Sequence, residues 1–368
     1  MKFTRKTVAA IAAASLCLGF VSSATAQRYS VLDLGNVTGT SLNSLGQVAG
    51  YRYTDDYSTI EAFYTGANGT GLTSLGAPQG SSSTWAYGIN DQGQVVGQYT
   101  TSTGDAHGFV TSAGGQGASD VSYGSAGSVS LVAINANGQY AGWADQTAIT
   151  SGPNGTGLQA VNLPGSLGSL VTAINGSGQV LGIAFTNDSG YTFLTGSNGQ
   201  GISQVGPTVG TGLALNNQGD VVGQVFTDEG DARGFLTLAN GATTLLGTLG
   251  GNFSRGTGIN DQGVIVGTSL QIDAYDSTQT TAFVIPGQGQ DMVSLASLAN
   301  VAADYDGTFA EAIAVNNSGQ ILVTGYGRSF LLTPTAIPEA QTSAMMLLGL
   351  GAIAWIGVRQ QRPRQAQA

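Results

Sequence analysis

The residues of this sequence that could do chemistry are carboxylates in close succession. Asp228, Glu229 and Asp231 fall within four positions, and Asp304 and Asp306 within three. Two carboxyl groups held roughly 5–9.5 Å apart can act as acid and base or nucleophile on a glycosidic bond. Several converging on one point can bind Ca²⁺, which takes about six to eight oxygen ligands. Two readings follow: an extracellular polysaccharide-acting lyase or glycosidase, or a Ca²⁺ site on an acidic rim built from Asp228, Glu229, Asp231, Asp304 and Asp306. Other chemistries have little to work with. His107 is the single histidine, so a Ser-His-Asp relay or a His-based metal site would have to use it; its place on a strand favours a structural role. Cys17, the single cysteine, lies in the N-terminal leader, which leaves the remaining chain without thiol catalysis. Gly196–Gly201 leads into a strand and not a helix, so it makes no phosphate cradle. No catalytic residue and no cofactor beyond that Ca²⁺ is expected.

The elements that must position these acids come from a repeat. Asn43, Asn90, Asn135, Asn175, Asn216, Asn260 and Asn316 open seven related phrases, spaced 47, 45, 40, 41, 44 and 56 residues apart. Such a period marks units that are each one supersecondary element. A glycine stands three residues after every Asn, the pattern of a type I turn in which Gly takes the positive-φ position. Aliphatic residues precede each Asn, and apolar residues follow each Gly at a fixed offset, as in Ile89 and Val95. Each turn therefore closes a β-hairpin.

A third strand is expected around Phe63, Phe109, Ile149, Phe193, Phe235, Phe283 and Phe330, then a Gly-rich turn and a short fourth strand such as Leu72–Gly76. Four short antiparallel strands in about 45 residues make one propeller blade. The seventh unit lacks a fourth strand, and Ser30–Gly35 is a fourth strand with no first three before it. The expected fold is an all-β, seven-bladed β-propeller over residues 27–335, closed by the N-terminal strand. Closure would remove the sheet edges that template aggregation. An open β-solenoid is the rival arrangement.

In such a blade the Asn–Gly turns leave one face, while the loops between second and third strands, and those entering the next unit, leave the other. Fourteen of the twenty acids in residues 27–338 map to that second face, Asp55, Asp56, Glu61, Asp105, Asp145, Asp188, Asp273, Asp276 and Glu311 among them. Variable loops on a constant scaffold are where function is usually carried; a solvated face is the plain alternative. Residues 27–338 hold five arginines and no lysine. Negative charge of that excess disfavours nucleic acid and anionic membrane surfaces as partners.

The two ends read as addresses. Lys2, Arg5 and Lys6 precede an apolar run, and Ala24-Thr25-Ala26 supplies a small-x-small cleavage site. Residues 1–26 are expected to be a signal peptide, cleaved by signal peptidase. At the other end, residues 336–368 contain Pro338-Glu339-Ala340, an apolar stretch over about 343–358 and then Arg359, Arg362 and Arg364. The stretch is slightly short of the roughly 20 residues that span a bilayer and is expected to form a transmembrane helix, with the arginines holding its end on the cytoplasmic side. This tail resembles the PEP-CTERM sorting signal of Gram-negative bacteria, with Ala340 in place of the second Pro. That resemblance implies transient insertion in the inner membrane and processing by an exosortase. A plain C-terminal anchor is the alternative.

The repeats are similar to the HAF family of extracellular repeats, best over Leu245–Gly251 and Gly258–Gly263, with the tripeptide as His107-Gly108-Phe109 or Ala62-Phe63. The resemblance implies an extracellular repeat protein and carries no catalytic residues. The reading is thus a secreted or cell-surface, non-enzymatic binding or structural module, with extracellular polysaccharide as a candidate partner. A membrane-anchored module that retains its C-terminal helix is a third reading.

Overall fold

Alternation of apolar and small residues around each Asn–Gly turn produces consecutive antiparallel strands and very little helix. The structure is a computed structural model that describes residues 27–76, 78, 80–272, 278–299 and 309–335. Four four-stranded sheets follow one another over residues 38–74, 81–121, 129–160 and 168–204. Residues 211–245 and 250–294 form two more sets of four strands, joined into one sheet by a single parallel bridge between Ala232 and Phe253. In the last sheet Glu311–Val315, Ile321–Gly325 and Arg328–Pro334 take the first three places, and the N-terminal strand Tyr29–Gly35 takes the fourth, antiparallel to Arg328–Pro334.

The Asn turns have the expected geometry. Gly46 N–H bonds the Asn43 carbonyl at 3.1 Å and Asn43 N–H bonds the Gln47 carbonyl at 3.1 Å, and the other six units repeat this pair of bonds. The turn glycines have φ between +69° and +90°, which L side chains adopt only with strain. A second glycine in each of the first six units, such as Gly182, sits opposite the buried third-strand residue, a Phe in all but the third unit, where Gly142 faces Ile149. A Cβ on Gly182 would lie 2.2 Å from the Leu170 carbonyl and 2.6 Å from the Phe193 ring. Only a bare backbone lets that ring lie flat across the second strand. In the seventh unit Val323 holds this place, opposite Phe330.

The core lies between neighbouring sheets. Phe63, Phe109, Ile149, Phe193, Phe235, Phe283 and Phe330 are all buried, and truncating such a ring to Ala costs about 3–5 kcal/mol. Phe63 and Val48 pack with Leu322 and Leu331 in one cluster, so the first and last repeats share a core. Residues Tyr29–Pro334 make one compact unit.

Two expectations change in detail. The fourth strands are shorter than the apolar pattern suggests: Leu72–Ser74, Ile202–Gln204 and Thr243–Leu245. Glu61 and Glu311, read as loop acids, lie within strands Ile60–Thr65 and Glu311–Val315, where Glu61 pairs across with Arg52 and Glu311 pairs across with Thr324 and meets Arg255 of another sheet. Residues 1–26 with Ala24 and Ala26, and residues 336–368 with Pro338, Glu339, Arg359, Arg362, Arg364 and the apolar run 343–358, lie outside the described residues, as do Asp273, Asp276, Asp304 and Asp306. Among the described residues no helix is long and apolar enough to cross a membrane.

Candidate functional site

Each repeat brings its Asn to the inner end of a hairpin, where the amide has four partners, or three at Asn260, whose fourth residue on is Val264. In the first unit Asn43 Oδ1 accepts from the N–H of Leu45 and Gln47 at 3.1 and 2.9 Å. Its Nδ2 donates to Gln47 Oε1 at 2.8 Å and to the backbone carbonyl of Asn90, the cognate in the next repeat, at 2.9 Å. The same outward donation runs from Asn90 to Asn135, Asn135 to Asn175, Asn175 to Asn216, Asn216 to Asn260 and Asn260 to Asn316, at 2.9–3.3 Å. Asn316 then donates to the carbonyl of Asn43 at 2.9 Å. All seven side chains are buried, 4–6 % exposed, which would be costly if any of these polar atoms lacked a partner. The sequence reading identified the asparagines as turn formers and missed the bonds between repeats.

Inside this circuit the aliphatic residues that precede each Asn, Leu42, Ile89, Ile134, Ile174, Leu215, Ile259 and Val315, form a collar. It is shared by two cavities, of about 240 Å³ at the asparagine end and 330 Å³ on the other side. The asparagine end is rimmed by the residue after each Asn, among them Ser44, Asp91, Asn217, Asp261 and Asn317. Asp261 accepts from the N–H and Nδ2 of Asn217, both at 2.9 Å, and from Asn317 Nδ2 at 2.7 Å. Partial burial works against its ionisation, but these hydrogen bonds prevail and hold its carboxyl below the ordinary range. This end admits water or a small polar solute and presents no nucleophile–base pair.

The opposite face carries the acids. Asp55 and Asp56, Asp105, Asp145, Asp188 and the group Asp228, Glu229 and Asp231 all sit in loops between second and third strands, one set per repeat. Asp231 is bound to Arg233 at 2.8 Å, and the other seven carboxylates of these loops make no ion pair among the described residues. Asp56 is held down to about 2 by hydrogen bonds from Thr54 and Ser58. The loops leave successive sheets, so the acids are distributed around the face. Among the described residues no three of His, Cys, Asp and Glu approach closely enough to hold a metal ion.

His107 lies in strand Ala106–Ser112, stacked on Tyr99 with ring centroids 5.2 Å apart. Its Nδ1 is 3.4 Å from Asp120 Oδ1, which also accepts the Tyr99 hydroxyl at 2.9 Å. Burial, the hydrogen bond and the charge of Asp120 push the Tyr99 phenol up to about 12. The three form a strand-to-strand clamp with no serine or metal partner in it.

No protein-family model matches this sequence, and no curated protein matches it. Solved structures do match by fold. A YCF48 structure bound to D1 peptide superposes with a TM-score of 0.53 at 12 % identity, over 84 % of this chain and 96 % of that one. The β-propeller domain of the Trilobed protease from Pyrococcus furiosus gives 0.46 at 9 % identity, over 68 % and 83 %. An oligogalacturonate lyase from Vibrio parahaemolyticus gives 0.47 at 10 % identity, over 85 % and 95 %. At these identities the likeness speaks to the fold, and the chain is an all-β protein of the β-propeller kind.

Proposed function

We propose that residues 27–335 form a seven-bladed propeller, closed by the N-terminal strand, that works as an exported non-enzymatic binding or structural module. Its place would be the cell surface or extracellular polymer matrix of a Gram-negative bacterium, reached through the inner membrane. The observation that carries this reading is the circuit of seven asparagine amides. Each amide fixes its own turn through Oδ1 and joins the next repeat through Nδ2, so the motif is a scaffold device. Sequence variation and unpaired charge are left to the opposite face, where a binding module would keep them. The basic–apolar–small N-terminus and the Pro338-Glu339 tail support export, with signal peptidase and an exosortase-type enzyme as processing partners.

Cell fractionation with intact-mass measurement tests this. The expected exported species starts at Gln27 and ends near Pro338–Ala340. Exported material that retains Trp355 would show an anchor in place of a sorting signal. Turnover of acidic or neutral polysaccharides by the purified chain, lost in Asp228→Asn with Glu229→Gln, would replace the binding module with an enzyme.

A further inference from the structure

The acidic face is also where large apolar side chains are left uncovered. Phe185, Phe226 and Ile272 end the second strands of three consecutive repeats. Leu167 and Val209 stand just before the first strands of two of them, and the Leu167 N–H is bonded to the Phe185 carbonyl at 2.7 Å. The five side chains are 42–65 % exposed. The repeats that carry them are neighbours, linked by the Asn175–Asn216 and Asn216–Asn260 bonds. Asp188, Asp228 and Glu229 rise from the same loops without an ion pair, and no lysine occurs between residues 27 and 335.

Exposed apolar side chains grouped on one face and rimmed by charge mark an interaction surface. We propose that this crescent docks a basic, apolar polypeptide segment, with leucine- or phenylalanine-type side chains on Phe185, Val209 and Phe226 and lysine or arginine against Asp188, Asp228 and Glu229. Charge decides the sign of the partner: Arg233 offsets only part of this rim, and a rim with acids in excess steers cationic chains and repels anionic ones. Side-chain type decides its class. Three of the five residues, Leu167, Val209 and Ile272, are branched aliphatics, which pack against other aliphatic side chains and interrupt the two rings, Phe185 and Phe226, that could stack on a sugar. The inference rests on the binding-module reading and specifies its partner.

The test measures binding of three synthetic peptides to the exported chain: a lysine–leucine amphipathic peptide, its glutamate–leucine counterpart and a lysine–serine peptide. The lysine–leucine peptide is expected to bind alone, more weakly at high salt, and about tenfold more weakly to Phe226→Ser. Leu245→Ser, on a fourth strand away from this face, should bind as the parent does. Asp228→Asn with Glu229→Gln should reduce both the affinity and its salt dependence. All these side chains are exposed, so unchanged melting curves separate lost binding from lost fold. Equal affinity of Phe226→Ser and Leu245→Ser, equal binding of the lysine–serine peptide, or displacement by a neutral polysaccharide would overturn the proposal. Such a result beside an unchanged exported mass would remove the partner assignment alone; polysaccharide turnover would remove the parent reading.

Discussion

Asn316 donates its side-chain N–H to the backbone carbonyl of Asn43, a residue 273 positions earlier, at 2.9 Å. It is the same bond that the other six repeats make to the next repeat along the chain. The last repeat therefore meets the first through the contact that joins any two neighbours. A buried donor and acceptor are satisfied at each junction, and leaving them unmade would cost the desolvation of both.

Asn135 tests what one junction is worth. Its amide bonds Gln139 Oε1 at 3.0 Å and the Asn175 carbonyl at 2.9 Å, and its Oδ1 accepts from Asn137 and Gln139 N–H. Asn135→Ala strands all four partners and is expected to cost about 2–4 kcal/mol in chemical denaturation. Asn135→Asp keeps the acceptor and turns a carboxylate oxygen toward two other acceptors. It should be at least as damaging at pH 7 and recover partly near pH 4, where a protonated carboxyl can donate. Equal stability of the two variants at both pH values would show that the donor does not matter.

The N-terminal strand makes a second prediction. Tyr29–Gly35 pairs with Arg328–Pro334, Asp33 meets Arg328 at 2.5 Å, and Ser329 Oγ donates to the Val37 carbonyl at 2.8 Å. Deleting residues 28–35 exposes the edge of Arg328–Pro334 and should cause aggregation or loss of cooperative melting. A circular permutant that carries residues 28–36 after Thr335 through a short Gly-rich linker can keep every one of these pairings and should melt cooperatively. Failure of the permutant with success of the deletion would mean that the strand adds nothing to closure.

What could be read from the sequence was local. Asn43, Gly46 and Val48 lie within one turn, so their side-chain types report the hairpin directly, and Phe63 at its offset reports the third strand. The amide circuit could not be read the same way. The acceptor is a backbone carbonyl 40–56 residues away in every forward case, and a carbonyl leaves no mark on composition. Glu61 and Glu311 fall in strands and not loops, with partners on another strand or in another sheet: Arg52 on the neighbouring strand for Glu61 and Arg255 of another sheet for Glu311. Phe185 and Phe226 are core-type side chains by composition, yet each ends its second strand and is exposed.

Asp261 gives a prediction in acid. A carboxyl held below its ordinary range stabilises the fold at pH above that range, and the contribution is lost as pH falls through the lowered value. Asp261→Asn replaces an oxygen that accepts from Asn217 and Asn317 with a donor. The site is largely solvated, so screening limits the loss to about 1 kcal/mol at pH 7. The gap between the parent and Asp261→Asn should shrink as pH falls below about 4. A gap that stays constant down to pH 2 in urea titrations would separate this carboxylate from the acid response.

Tyr99 gives the corresponding prediction in base. Its phenol is pushed up to about 12, first by burial and then by Asp120, so the unfolded chain ionises this group before the folded one does. A raised folded-state value means that the stabilisation is full below about pH 10 and is lost as pH climbs toward 12. Tyr99→Phe keeps the ring stacked on His107 and removes the hydroxyl that donates to Asp120 at 2.9 Å. At pH 8 the variant should be less stable by about 1 kcal/mol, the worth of one hydrogen bond to a charged group that stays partly solvated. Above pH 10 the parent should lose stability faster than the variant, so the two urea midpoints converge. Parallel decline of both midpoints from pH 8 to 11 would assign the alkaline loss to the other tyrosines and remove Tyr99 from it.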